Sequence, residues 1–187
     1  ILSLQDEDVL TGIEGRTDNT LNATIGQINT NEGTSNTVTP ELNNIQILNL
    51  DWTGNTTTLD VRYADSLSTI NVNKATNDGN IAIINNINTA AANLRVANTA
   101  NVGTTVAFNY QQGVLAGEQT ANIELTNVYA NTITQQALGA GVGVEGFEKA
   151  NINSTKNVDI NQLTVNQLTE ATITGSGSLK IANLTNT

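Results

Sequence analysis

Between Leu48 and Phe108, aliphatic residues return on a beat of eleven to thirteen positions. Leu48, Leu59, Ile70 and Ile81 are each eleven apart, as are Leu50, Val61 and Val72, and the spacing then drifts to Leu94 and Val106. A short, imperfect repeat of strand-sized apolar clusters cannot close a core one unit at a time. Each unit hides its inward face only against its neighbours, so the chain must stack. The beat predicts an all-β fold, a right-handed parallel β-solenoid with irregular loops and little helix, in which Leu59, Ile70 and Ile81 lie over one another.

Composition supports a narrow interior. Apolar residues make up 38% of the 187 positions but aromatics only 3%, so Ala, Val, Ile and Leu must do the burying. Asn and Thr fill 59 positions, 30 and 29 respectively, and such side chains can form hydrogen-bonded ladders between rungs, with inward or corner Asn stacks and outward Thr pairs. Cys, His and Met are absent, which excludes disulfides, thiolate nucleophiles, imidazole bases and the usual zinc or haem ligands. The net charge of −10, with seven Lys and Arg that form no stripe, argues against nucleic acid as a partner. No run approaches the roughly 18 apolar residues of a membrane span. The chain opens on Ile1 without a signal peptide and stops at Thr187 soon after an apolar beat, so it reads as a fragment of something longer.

Four stretches of one continuous domain are expected. Residues 1–40 are acidic, glycine-punctuated lead-in strands, and Pro40 marks the start of the repeat. Residues 41–110 are solenoid rungs, with alternating runs such as Asn44–Leu50 and Ser68–Val72 and corners at Gly54-Asn55 and Asn77-Asp78-Gly79-Asn80. One turn of helix is conceivable within Ile84–Ala100, and Gln135–Leu138 is ambiguous. Residues 111–150 form a glycine-rich insertion or loop-bearing rungs holding a strand pair, Ala121–Leu125 and Asn127–Ile133. Residues 151–187 resume the rungs, because Ile152, Val158, Leu163, Leu168, Ile173, Leu179 and Leu184 are spaced by five or six, two such steps making one unit.

Few motifs carry chemistry. Gly141–Gly146 matches G-x-G-x-x-G but has neither a buried strand before it nor a helix after it, so it reads as a loop. The carboxylates Asp6, Glu7, Asp8, Glu14 and Asp18 are closely grouped. Asp6, Asp8, Glu14 and Asp18, with Asp78 at a turn, are the candidate ligands for Ca²⁺, a cation that takes six to eight oxygens. The alternative is a solvated acidic edge. Asn-x-Ser/Thr matches at Asn22, Asn55, Asn153 and Asn183 follow from composition. Asp60 and Arg62, at alternate positions on one strand face, read as a surface ion pair rather than a catalytic group. No enzyme is expected.

Three passages, in order, resemble a known family. Residues 9–24 (VLTGIEGRTDNTLNAT) resemble the LTGT-x-GxDTLNAT passage of Gram-negative surface-layer and RTX-type exported proteins. Residues 40–50 (PELNNIQILNL) resemble their L-x-NIE-x-LNL segment, and residues 58–72 resemble the TLDLS…L-x-SINV segment that follows. The resemblance covers residues 9–73, and beyond them it is one of style. It implies a calcium-stabilised β-solenoid block, type I secretion, an extracellular location on the bacterial cell surface, self-assembly with copies of itself in a lattice, and anchoring to lipopolysaccharide. The glycine-aspartate calcium nonapeptides, an anchoring region and a secretion signal are missing, so lipopolysaccharide contact and export fall to regions outside this chain. Two rival functions are an adhesin stalk or passenger segment that binds surface glycans, and a polysaccharide lyase or hydrolase. Scarce aromatics for stacking sugars count against the latter.

Overall fold

The computed structural model describes residues 3–26, 36–53, 56–75, 81–100, 102–138 and 145–186. Runs that alternate aliphatic or β-branched residues with polar ones become strands, because the pleat sends alternate side chains to opposite faces. In chain order the first eight are β1 (Val9–Thr11), β2 (Thr20–Ile25), β3 (Thr37–Val38), β4 (Glu41–Asn43), β5 (Ile47–Trp52), β6 (Thr56–Asp60), β7 (Thr69–Ala75) and β8 (Ile81–Ile87). Then come β9 (Asn93–Ala100), β10 (Thr105–Tyr110), β11 (Thr120–Ala137), β12 (Lys149–Ser154), β13 (Val158–Val165), β14 (Glu170–Gly175) and β15 (Leu179–Thr185). The described residues contain no helix, including those of Ile84–Ala100 and Gln135–Leu138.

All the strand pairings are parallel and they stack as a β-solenoid. Thirteen strands form one sheet that folds into two faces. Face A stacks β2, β5, β7, β9, the first part of β11, β12 and β14; face B stacks β3, β6, β8, β10, the last part of β11, β13 and β15. A small side sheet of β1 and β4 continues through a bridge from Leu42 to Ala64.

Register corrects the reading of the period. Leu48, Ile70, Leu94, Ile123, Ile152 and Ile173 form one column on face A. Leu59, Ile84 and Phe108 form a column on face B. The eleven-residue beat is therefore half a coil. Each strand brings one aliphatic cluster whichever face it serves, so the sequence counts strands, while the full coil runs from Leu48 to Ile70. Ile81 falls out of step: it pairs with Thr56 and Thr105 at a half-buried outward position, and Ile84 takes the inward one.

The strand pair anticipated in 121–133 is one 18-residue strand, β11, that bends around the coil. Its inward set is Ala121, Ile123 and Leu125, then Val128 and Ala130, then Ile133, Gln135 and Ala137, so the alternation slips a step at Asn127 and again at Asn131. Asn127 has φ of 55°, and Asn98 on the rung beside it has φ of 51°. Asn enters the left-handed region at less cost than other non-glycine residues, so it can turn a corner without ending the strand. The rungs also approach closely. A Cβ on Gly146 would strike the Asn166 carbonyl, which accepts the Phe147 amide at 2.9 Å.

One continuous core fills the coil, with Trp52, Phe108, Tyr110 and Phe147 as its largest members beside Leu and Ile. The Tyr110 and Phe147 rings meet edge to face at 5.5 Å, and the Tyr110 hydroxyl donates to the Ala91 carbonyl at 2.6 Å. Burial pushes that phenol's pKa upward. Gln135 is the anomaly: it is 1% exposed, shares the column of Leu59, Ile84 and Phe108, and its side-chain amide makes no hydrogen bond among the described residues. An unmet buried amide costs about 1–3 kcal/mol, so Gln135→Leu is expected to raise stability by about that amount in urea unfolding. A lowered midpoint would show that the amide is satisfied in solution.

Candidate assembly surface

The two ends of the stack differ. At the N-terminal end, Ser3 ties back to Thr24 through an amide-to-carbonyl bond of 3.2 Å and receives the Thr24 amide on its hydroxyl at 2.7 Å. Leu4, 1% exposed, belongs to the core. At the other end β14 is exposed along its whole length. Ile173 is 58% exposed and Leu184 45%, whereas Ile152 and Leu163, the residues that precede them in the same columns, are fully buried. The last described rung keeps the inward pattern of the rungs before it.

The outward positions form regular columns. On face B one column reads Thr58, Ile83, Ala107, Thr134, Thr164 and Thr185, and the next reads Ile81, Thr105, Thr132, Gln162 and Asn183. Neither contains a charge, although the chain carries −10. The Thr164 and Thr185 hydroxyls lie 2.9 Å apart. On face A, Asn71 donates to Asn49 at 2.7 Å and Asn49 to Asn22 at 2.8 Å. A parallel ladder runs from Asn151 to Asn122 at 2.9 Å and from Asn122 to Asn93 at 3.0 Å. These ladders occupy outward positions; their side chains are half-buried or exposed. Arg95 replaces Asn in the first column and pairs with Glu124 on the next rung at 3.2 Å.

The anticipated calcium ligands lie apart in their roles. The Asp6 carboxylate accepts the Thr39 amide at 2.7 Å, and that of Asp8 accepts the Gln5 amide at 2.8 Å. Asp18 is held by two bonds of 2.7 Å from Arg16, and hydrogen bonding to that guanidinium keeps its pKa below the ordinary value. Glu14 is exposed in a turn, and Asp78 lies outside the described residues. Among the described residues, no group of three or more Asp or Glu is placed to hold a metal ion. Most of the G-x-G-x-x-G stretch lies outside the described residues too; of its last two members, Glu145 accepts the Gly113 amide at 2.6 Å.

Asp60 differs from its reading as a surface group. It is 2% exposed and accepts from the Arg62 guanidinium, the Arg62 amide at 3.1 Å and Asn86 Nδ2 at 2.8 Å. Asp65 does not join it; its carboxylate accepts the Ser66 hydroxyl at 2.8 Å. Sequence reasoning did not foresee the exposure of Ile173 and Leu184, because both keep the same beat as buried residues. No helix among the described residues is long and apolar enough to cross a membrane. Comparison with protein families, curated proteins and solved structures finds no match for this chain.

Proposed function

We propose that this chain is a non-catalytic structural building block of a self-assembling bacterial surface layer. The observation that supports the reading is the pair of uncharged outward columns on face B, which run along the stack from Thr58 to Thr185 and from Ile81 to Asn183. Chains that each carry −10 repel one another, so contacts between copies are favoured where charge is absent. The Thr and Ile columns of face B provide such a surface. The partner in this reading is a second copy.

The resemblance over residues 9–73 supplies the setting: the outer surface of a Gram-negative cell, export by a type I system, and anchoring to lipopolysaccharide through regions outside this chain. Calcium belongs to the reading as a counter-ion that offsets acidic charge. Chelation is expected to lower the melting temperature, and an unchanged melt would remove calcium from it.

Assembly is tested by sedimentation and electron microscopy of the chain with calcium. Concentration-dependent association that is lost in the double variant Ile83→Lys, Thr134→Lys, on the uncharged outward column of face B, with unchanged circular dichroism, is the expected result. A wild-type chain that stays monomeric at every concentration, or a double variant that associates equally well, refutes it.

A further inference from the structure

Of the chain's six aromatic residues, Trp52, Phe108, Tyr110 and Phe147 are committed to the core. Tyr63 and Tyr129 reach solvent, at 58% and 36% exposure. Tyr129 differs from Tyr63 in its surroundings. It lies in the short stretch of β11 between the Asn127 corner and face B, and its partners on the next two rungs are Asp159 and Lys180. With Asn157, Val158 and Ser178 these three line a depression of about 360 Å³. That volume falls within the roughly 300–1,000 Å³ of small-ligand sites.

The rim is pre-set. Lys180 Nζ donates to Asp159 at 2.9 Å, and the Ser178 hydroxyl donates to Asn157 at 3.1 Å. The backbone under the ring is fixed from the rung above, where the Thr99 hydroxyl accepts the Tyr129 amide at 2.8 Å and donates to the Tyr129 carbonyl at 2.9 Å. The site thus offers one apolar ring face beside a carboxylate, a carboxamide, a hydroxyl and an ammonium. A sugar ring has the complementary character, apolar on its C–H face and polar at its rim. Three outward positions in line, one per rung at about 4.8 Å, repeat at about the length of a sugar ring. Lys180 already balances Asp159, and the surrounding charge of −10 repels acidic sugars. We propose that this depression binds a neutral, pyranose-based glycan laid along the solenoid axis, with one ring stacked on Tyr129 and hydroxyls held by Asp159 and Asn157.

The test is saturation-transfer NMR on the whole 187-residue chain with cellotetraose, maltotetraose and mannotetraose. The wild type is expected to transfer saturation to the ring protons of at least one of them. Tyr129→Ala is expected to bind about tenfold more weakly, Tyr129→Phe and Tyr63→Ala to bind as the wild type does. Because the Thr99 bonds are to backbone atoms, Tyr129→Ala keeps them, and circular dichroism checks that the fold is retained. No transfer to any of the three sugars, transfer that survives Tyr129→Ala, or an equal loss in Tyr63→Ala overturns the assignment.

Discussion

Ile152→Ala is expected to cost about 2–5 kcal/mol of stability, while Ile173→Ala, one rung away in the same column, is expected to cost about 1 kcal/mol or less. The substitution removes the same atoms in both cases. Ile152 is fully buried, with Ile123 on one side and Ile173 on the other, so truncation loses transfer energy and leaves a cavity. Ile173 is 58% exposed, so most of its surface is wet already. Urea unfolding of the two variants, compared at equal slope, measures the difference. Equal losses would mean that the last rung is covered in solution, through a contact between copies or with another segment. Dilution separates these, since only the first fades as the chain is diluted.

Asp60→Ala is expected to cost about 2–3 kcal/mol and to change how the fold responds to acid. Burial alone pushes the Asp60 carboxyl upward, but hydrogen bonds from the Arg62 side chain, Asn86 and the Arg62 amide, with the Arg62 charge, outweigh it and hold the pKa below the ordinary value. The Arg62 side chain is 48% exposed and rehydrates when its partner is lost. The loss therefore falls below the roughly 3–5 kcal/mol of a fully buried pair and near that of hydrogen bonds to a charged group. A carboxyl whose folded pKa is lower than its unfolded value of about 3.9 contributes stability above that value and loses it as pH falls through the folded pKa. Between about pH 5 and pH 2 the wild type should lose stability more steeply than Asp60→Asn, as followed by thermal melts across that range. Parallel curves would show that the pair does not form in solution.

Alternation over Ile45–Leu50 and Ser68–Val72 marks strands, because period two is a property of the pleat and is written in neighbouring residues. The eleven-residue beat marks stacking, because no single strand of this chain can bury its own inward face. The absence of Cys and His excluded whole classes of chemistry before any geometry was known. All of this is local or compositional information, and one strand's worth of sequence carries it.

Only the tertiary structure decided which beats lie on which face, since Leu48 and Leu59 are equally aliphatic and differ only in where the corner between them sends the chain. The same holds for Asp60, whose burial depends on Asn86, 26 residues away, and for Asp6, whose carboxylate serves the Thr39 amide 33 residues on. Ile152 and Ile173 read alike because a residue's pattern fixes the side to which it points, while cover depends on what lies on the next rung.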